Sequence, residues 1–343
     1  MPAARILQEV CVAETREVAL DENDRPIALR LTRLTEERPI QLGQRVTGRL
    51  RTISLSQGGG FVELEDRRGD VFLRLQEGHG LTEGQSLDLQ VVAEPREGSK
   101  LARVGLAGNT QDSRPRDPWG TAKVERVDPG DPTVAMAFDM AISQTVNLPG
   151  GGNITLERTR ALVAVDVDTF GRSDTGRAAS RALKVNLDAA AELARQIRLR
   201  NLGGIAVMDC VSPLNREAGK QVRDRFNSVF RQISDQHVRV LLPSELGLLQ
   251  ASIEWAETPI AERLLGHSGE KASRAVCFDG FRLLEQEART KRMDRLCLDL
   301  PGHAMAWLDR DGLPLKRALA EKYGDRFTYD STNPTSPFVF TVP

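Results

Sequence analysis

The first third of the chain alternates apolar and polar positions in short runs, which is the pattern of half-buried β-strands. Within residues 1–38 two such runs flank the acidic cluster DEND and predict a β-hairpin. Residues 40–107 hold five further runs separated by turns that contain glycine, and this spacing is typical of a small five-stranded OB-type barrel. Residues 108–133 are rich in Pro, Gly and Asp and predict a linker.

From residue 134 the alternation gives way to helical spacing and continuous apolar runs. A helix-like piece is followed by three glycines that predict a hairpin turn, and then by the buried-strand run ALVAVD. A long helix over about 177–201, the strand GIAVMD, a helix over about 214–236 and the strand HVRVLLP come next. Strands alternating with helices predict a parallel sheet with right-handed crossovers.

The tail, residues 272–343, again mixes helical and strand patterns and predicts a small C-terminal α/β domain. The fold class expected from the pattern is therefore an α/β domain with a parallel-strand βαβ core, a five-stranded β-barrel of OB type and a small C-terminal α/β domain.

Composition narrows the function classes. Of 343 residues 40% are hydrophobic, enough for a packed core, but no apolar run approaches the roughly 18 residues that span a bilayer. The opening segment is charged throughout, unlike a secretory signal, so we expect a cytoplasmic protein without membrane contact. Four dispersed cysteines without a C-x-x-C pair argue against a zinc motif or a disulfide framework. With a net charge of −1, nucleic-acid binding would depend on local basic stripes.

The strongest candidate chemistry lies in two similar hexamers, 161–166 and 204–209, each a predicted strand ending in aspartate. The carboxyl ends of parallel strands share one sheet edge, and neighbouring strands lie about 4.8 Å apart. Asp166 and Asp209 would therefore hold a hard divalent cation, Mg²⁺ or Mn²⁺, with Asp168 as a third ligand. The structural alternative is that such aspartates cap the following turn or helix.

A rival interpretation takes the D-x-D sequence of Asp166 and Asp168 as a phosphatase site, with Asp166 as a covalent nucleophile. That motif expects a glycine or similar residue before the threonine and a lysine with an acidic pair downstream. Neither is well placed in this sequence.

Basic and aromatic residues suggest that a nucleic acid binds near the sheet edge that carries Asp166 and Asp209. Phe61 and Phe72 lie in predicted barrel strands, where rings either stack on bases or fill the core. Lys100, in the turn before the last barrel strand, either reaches a phosphate or is simply solvated. Arg177, Arg181 and Lys184 begin the long helix and would bind a polyanion backbone beside a metal site.

Three stretches carry a resemblance to a known family: LPGGGNITLERTRALVAVDVD at 148–168, VNLDAAAELARQIRLRNLGGIAVMD at 185–209 and, more loosely, SELGLLQAS at 244–252. They resemble the ribonuclease E/G family of bacterial endoribonucleases, whose two metal-binding aspartates have the same 43-residue separation as Asp166 and Asp209. The resemblance implies that Asp166 and Asp209 bind Mg²⁺, that metal-activated water cleaves single-stranded RNA, and that Phe61, Phe72 and Lys100 grip RNA on an S1-like barrel.

The resemblance also implies a domain order. The expected parts are a hairpin of a reduced RNase H-like subdomain, an S1-like RNA-binding barrel, a linker with the remnant of that subdomain, an α/β metal-dependent nuclease domain and a small C-terminal α/β domain. Their expected ranges are 1–38, 40–107, 108–147, 148–268 and 272–343.

Departures from the family pattern suggest a minimal form. Asp168 replaces the usual asparagine, an acidic residue is lost within 210–212, and basic groups are lost around 253–255. The cysteine link that joins family subunits through zinc is missing from this sequence, so we expect no zinc and, at most, a homodimer that does not depend on it. The segment that senses a 5′-monophosphate is also missing, so cleavage should be indifferent to the 5′ end. The alternative is a catalytically degenerate RNA-binding protein.

Overall fold

The computed structural model describes residues 3–34, 39–76, 78–96, 100–108, 119, 122–332 and 334–342. Within these ranges the chain forms β-strands and α-helices that are numbered in chain order. The strands are β1 Arg5–Val10, β2 Glu14–Leu20, β3 Pro26–Arg33, β4 Arg45–Ser54, β5 Gly59–Leu64, β6 Asp70–Arg74, β7 Ser86–Ala93, β8 Arg103–Leu106, β9 Lys123–Val127, β10 Thr145–Asn147, β11 Asn153–Arg158, β12 Leu162–Asp168, β13 Gly204–Asp209, β14 Val238–Val240, β15 Leu248–Ile253, β16 Arg295–Asp299, β17 Phe327–Asp330 and β18 Phe338–Val342. The helices are α1 Pro132–Ile142, α2 Ala178–Leu199, α3 Arg216–Ile233, α4 Ile260–Leu264, α5 Ser273–Thr290, α6 Gly302–Asp311 and α7 Leu313–Tyr323.

The chain divides into two compact units that are not continuous in sequence. The first unit contains Arg38–Gly120 and Ser143–Pro259, and the second contains Ala3–Glu37, Thr121–Ile142 and Ile260–Pro343. No helix in the described part of the chain is both long and apolar enough to cross a membrane.

The predicted barrel is confirmed. Strands β4 to β8 close in the order β4-β5-β6-β8-β7, which is the strand order of a small Greek-key barrel. Alternate side chains point inward and form the barrel core: Leu50, Val62, Leu73, Leu89 and Val104. The alternating pattern predicted this because every second residue of each strand must be apolar to fill so narrow an interior.

A mixed sheet, β10-β11-β12-β13-β15-β14, forms the rest of the first unit. The βαβ core is present, since β12 and β13 are parallel and α2 connects them. The expected fully parallel sheet is wrong, however, because β15 inserts antiparallel between β13 and β14. Seven residues lie between β14 and β15, a length that suits an antiparallel connection and not a parallel crossover.

Helices α2 and α3 cover one face of this sheet. Val163 and Val165 of β12 and Met208 of β13 point into that interface, where they meet the apolar faces of both helices. Phe226 and Phe230 of α3 are fully buried there, with stacked rings 5.8 Å apart. The opposite face of β12 and β13 is not part of this core, and its aspartates Asp166 and Asp209 are exposed.

The second unit contains a four-stranded sheet, β3-β2-β1-β9. Residues 3–34 thus form three antiparallel strands where a two-stranded hairpin was expected. Part of the expected linker is likewise a strand, because β9 pairs in parallel with β1. Most of the remaining linker lies outside the described residues.

The tail contributes a three-stranded sheet, β17-β16-β18, to the second unit. Helix α5 is also joined to β1 and β2 by salt bridges. Arg282 pairs with Glu9 and Glu14, and Asp279 pairs with Arg16. Glu14 and Arg282 are almost fully buried, so this network belongs to the interior of the unit. The expected C-terminal domain is therefore packed into one unit with residues from the start of the chain.

Candidate active site

Two aspartates meet at the open face of the mixed sheet. In the parallel register Ala164 is opposite Val207 and Val165 is opposite Met208, so the next position places Asp166 beside Asp209. Neighbouring strands lie about 4.8 Å apart, which brings two carboxylates within reach of one cation. Side chains alternate along each strand, so Val165 and Met208 point into the core while both aspartates point outward.

Asp166 and Asp209 differ from Asp168 in their partners. Within the described residues, neither of the first two carboxylates has a hydrogen bond or ion pair, and both residues are exposed. Asp168 accepts hydrogen bonds from the backbone N–H of Phe170 at 2.9 Å and from Asn153 Nδ2 at 3.2 Å. The structure therefore gives Asp168 a local role in the turn that follows β12.

Asn186 fixes the chain just after Asp209. Asn186 lies in α2 and is fully buried. Its side chain makes two hydrogen bonds with the backbone of Val211: Nδ2 donates to the carbonyl and Oδ1 accepts from the N–H, each at 2.9 Å. The pattern did not indicate this role, although a polar residue on the buried face of an amphipathic helix is a signal that could have done so.

Arg172 fixes the turn after β12 and was also missed. Its guanidinium donates to the carbonyl oxygens of Pro149 and Gly151 at 3.3 and 3.0 Å, and to Asp174 and Asp188 at 2.6 and 2.8 Å. Burial alone would lower the pKa of Arg172, but the hydrogen bonds to the two carboxylates raise it. This residue joins the 148–152 turn, the turn after β12 and helix α2.

The basic residues at the start of α2 follow the same sheet edge, because α2 begins after the loop that leaves β12. Arg177 and Arg181 are exposed, and no acidic partner for either is found in the described part of the chain. Lys184 is exposed too, but it pairs with Asp174. Of the three predicted basic residues at the start of α2, Arg177 and Arg181 thus have no acidic partner among the described residues.

The two predicted aromatic residues of the barrel lie together. Phe61 and Phe72 face each other across β5 and β6, with an edge-to-face contact and ring centroids 5.6 Å apart. Both rings are half-buried on the outer surface, while Val62 and Val71 beside them fill the interior. Neither ring is therefore in the barrel core. A Cβ at Gly59 would collide with the Phe72 ring, so this glycine makes room for it.

Lys100 is exposed, and the chain just after it contacts one of the barrel aromatics. The carbonyl of Ala102, two residues after Lys100, accepts from Phe72 N at 2.8 Å. Its backbone forms an isolated bridge with Arg96. The structure thus brings Phe61, Phe72 and Lys100 to one region of the barrel.

The segment around 253–255, where basic residues are lost, has a packing role. Trp255 packs on Gly203, where an added Cβ would lie 2.6 Å from the indole ring. The guanidinium of Arg96 stacks 3.7 Å from the centre of the Trp255 ring, and Arg103 donates to the Trp255 carbonyl at 3.2 Å. Trp255 therefore attaches the barrel to the mixed sheet within the first unit.

The donor set at the sheet edge suits magnesium. The described residues contain no group of three or more His, Cys, Asp or Glu side chains that could hold a metal ion. Mg²⁺, however, keeps several waters and is commonly held by one or two carboxylates together with substrate phosphates. Two exposed carboxylates without internal partners, Asp166 and Asp209, fit that mode. The four cysteines are buried free thiols.

Fold and site together define an α/β protein that has an acidic sheet edge and a five-stranded barrel of OB-type strand order. Residues 131–254 match the model of the Ribonuclease E/G family. This match confirms the resemblance to that family, and it covers β12, β13 and both aspartates at the sheet edge.

Individual relatives agree with the family match. Ribonuclease E of Escherichia coli is 30% identical over 44% of this chain and 15% of its own length. Ribonuclease E of a Nostoc species is 38% identical over 33% of this chain and 16% of its own length. The chain thus spans less than a fifth of these relatives. A solved multidomain protein with nucleic acid binding domains from Streptococcus pneumoniae aligns with 40% of this chain and 45% of its own, at 15% identity and a TM-score of 0.17, too low to indicate a common fold.

Proposed function

We propose that this protein is a Mg²⁺-dependent endoribonuclease that hydrolyses phosphodiester bonds in single-stranded RNA, in RNA processing or decay. The observation that carries the proposal is the placement of Asp166 beside Asp209 on adjacent parallel strands. Both carboxylates are free of described partners, and both lie in the segment that matches the Ribonuclease E/G family.

In this proposal the two carboxylates hold Mg²⁺, with Mn²⁺ as a substitute, and need no zinc. A bound divalent ion would neutralise charge on the scissile phosphate and make water a stronger nucleophile. Asn186 holds the backbone after Asp209, and Asp168 holds the turn after Asp166, so the backbone on the carboxyl side of both aspartates is in place before substrate arrives. Pre-organised groups of this kind need no rearrangement during the reaction.

RNA binding is assigned to two surfaces. Arg177 and Arg181 would bind backbone phosphates beside the carboxylates, because their charges have no described partner. Phe61 and Phe72 would stack on bases, and Lys100 would contact a phosphate near them. The half-buried position of both rings on the outside of the barrel supports this assignment.

Three further parts complete the proposal. The first concerns the interval between the barrel and β12, whose described residues form β9, α1, β10 and β11. We propose that cleavage does not depend on a 5′-monophosphate, that any homodimer forms without a zinc link, and that the enzyme works in the cytoplasm.

The test is cleavage of a fluorescent single-stranded RNA, with 5′-hydroxyl and 5′-monophosphate versions compared in Mg²⁺ and in EDTA. Asp166→Asn and Asp209→Asn should each lower the rate by more than about 100-fold, because each removes an anionic metal ligand. Asp168→Asn should stay within about 10-fold of wild type, because an amide oxygen can still accept from the Phe170 N–H. Equal loss in all three variants would contradict the separate role of Asp168. Cleavage that persists in Asp209→Asn would contradict the proposed site.

A second candidate is an RNA-binding protein without nuclease activity. It is favoured by the described residues offering no third acidic ligand and by Cys210 being a buried thiol next to Asp209. RNA binding without cleavage in Mg²⁺ or Mn²⁺ would establish this alternative.

A further inference from the structure

Phe170 projects into solvent at the edge of the candidate active site. It lies two residues after Asp168, at the end of β12, and 87% of its surface is exposed. A four-residue separation limits the Cα distance between Phe170 and Asp166 to about 14 Å. An aromatic ring in this place is within reach of nucleotides close to a phosphate held at the carboxylates.

The ring is carried by a defined turn. Arg172 N donates to the carbonyl of Thr169 at 3.2 Å, which closes a four-residue turn with Phe170 and Gly171 at its centre. Gly171 has a φ of +82°, the value that a type II turn requires at its third position. The Phe170 N–H is also bonded to Asp168 Oδ1, so the backbone that bears the ring is fixed from two sides.

A second turn supports the first through backbone contact. A Cβ on Gly151 would lie 2.6 Å from the Gly171 carbonyl oxygen, and one on Gly152 would lie 2.5 Å from the Asp168 carbonyl oxygen. The two glycines therefore let the 148–152 turn pack directly on the turn of Phe170. Arg172 joins the same two turns through the Pro149 and Gly151 carbonyls. The backbone that carries Phe170 is thus packed on the 148–152 turn, and the ring projects away from it.

The surroundings of Phe170 suit an RNA strand. Asp166 precedes Phe170 by four residues and lies beside Asp209 on the neighbouring strand, and the exposed Arg177 and Arg181 follow Phe170 at the start of α2. A base needs a flat apolar surface, and the adjoining phosphates need positive charge. The segment that leaves the carboxylate edge therefore carries both an exposed aromatic ring and two exposed arginines.

We propose that Phe170 stacks on a base of the RNA next to the scissile phosphodiester and so sets the register of the strand at the carboxylates. This inference rests on the proposed function, because it names the contact that the substrate makes at the same site. It concerns a side chain outside the barrel.

The first measurement is RNA affinity by fluorescence anisotropy, with all variants made in the Asp209→Asn background so that cleavage does not intervene. Phe170→Ala should weaken binding by about 5- to 150-fold, the range expected for one base stacked on an aromatic ring. Phe170→Trp should bind at least as well as Phe170, whereas Phe170→Leu should resemble Phe170→Ala. Met293→Ala is the matched control, since Met293 is 92% exposed and belongs to the second unit.

The second measurement locates the base. In a series of RNAs that each carry one abasic nucleotide, one position within a few nucleotides of the cut should lower the affinity of the Asp209→Asn protein. The same abasic position should not further lower the affinity of the protein that also carries Phe170→Ala. Such non-additivity identifies the partner of the ring.

The outcomes separate this inference from the proposed function. Wild-type affinity in Phe170→Ala, or equal affinity in the Leu and Trp variants, would overturn the stacking role even if Mg²⁺-dependent cleavage is found. A strong loss with one matching abasic position would support the contact even if no cleavage occurs. Because Phe170 makes few contacts within the chain, its variants should keep the wild-type melting temperature.

Discussion

At the scale of single residues, the site depends on side chains that hold other groups in place. Asn186 is buried in α2 and uses both ends of its amide on Val211, two residues after Asp209. A buried side-chain amide that makes both of its hydrogen bonds holds the bonded backbone in place. Removal of the Asn186 amide would leave the N–H and the carbonyl of Val211 without a hydrogen-bond partner.

We therefore predict that Asn186→Ala lowers the free energy of unfolding by about 1–3 kcal/mol, because two buried backbone groups lose their hydrogen bonds. Cleavage should also fall, by about 10-fold, because Asp209 is less well fixed. Urea denaturation and cleavage rates of the same preparation measure the two effects. Asn227→Ala on α3 is the control and should change neither by more than a small amount. Unchanged stability in Asn186→Ala would contradict the clamp.

The residues that were predicted and those that were missed differ in the signal that the sequence gives for each. Asp166 and Asp209 were predicted because each ends an apolar run, and strand direction alone places them together. Arg172 and Asn186 were missed because each bonds backbone groups outside regular strands, such as those of Pro149 and Val211, which lie 23 and 25 residues away in sequence. For Asn186 a local signal existed, namely a polar residue on the buried face of α2.

At the scale of elements, the close approach of two turns supports the candidate site. The three glycines 150–152 all have positive φ, but only Gly151 and Gly152 lie against the backbone of the next turn. Gly150 has nothing closer than 3.7 Å to its would-be Cβ, and that atom belongs to the Arg172 side chain. Backbone conformation and close packing can therefore be tested separately.

We predict that Gly150→Ala costs about 1 kcal/mol of stability, the effect of a positive φ alone. Gly151→Ala should cost more and should also reduce cleavage by about 10-fold or more, because its Cβ displaces the turn of Phe170. Thermal melts and single-turnover rates measure the two losses. Equal behaviour of the two variants would show that the contact between the turns is unimportant.

The elements themselves were predictable where the pattern was regular. The five barrel strands alternate cleanly, and helices α2 and α3 have clear apolar faces, so all were predicted. β15 was missed, although Leu249, Ala251 and Ile253 alternate with polar residues and are buried on one face of the strand. Its insertion between β13 and β14 is decided by which strand edge remains free, and sequence order does not indicate that.

At the scale of the molecule, the second unit is held together by buried ions from distant parts of the chain. Burial alone would raise the pKa of Asp279, but attraction to Arg16, Arg282 and Lys271 outweighs it and lowers the pKa from 3.8 to about 2. The same kind of balance lowers the pKa of Glu14, where burial is opposed by Arg16, Arg282 and Arg33.

A lowered pKa makes stability depend on acid. The contribution of Asp279 is fully present above pH 3.8 and is lost as the pH falls from there through 2, because the unfolded chain takes up the proton first. Its size is about 2 kcal/mol. Urea denaturation at pH 6, 4, 3 and 2 should show wild type losing more stability than Asp279→Asn over this interval. Parallel curves for the two proteins would contradict the network.

The ion network also joins residues that are synthesised at different times. Arg282 follows β3 by about 250 residues, whereas its partners Glu9 and Glu14 lie in β1 and β2. At about 5–20 residues per second, Arg282 is synthesised on the order of 10–50 s after β3. Glu9 and Glu14 are without this partner for that time. The barrel, whose five strands are consecutive, can close during that wait. The buried ion pairs of the first strands are therefore completed only after the barrel strands have been synthesised.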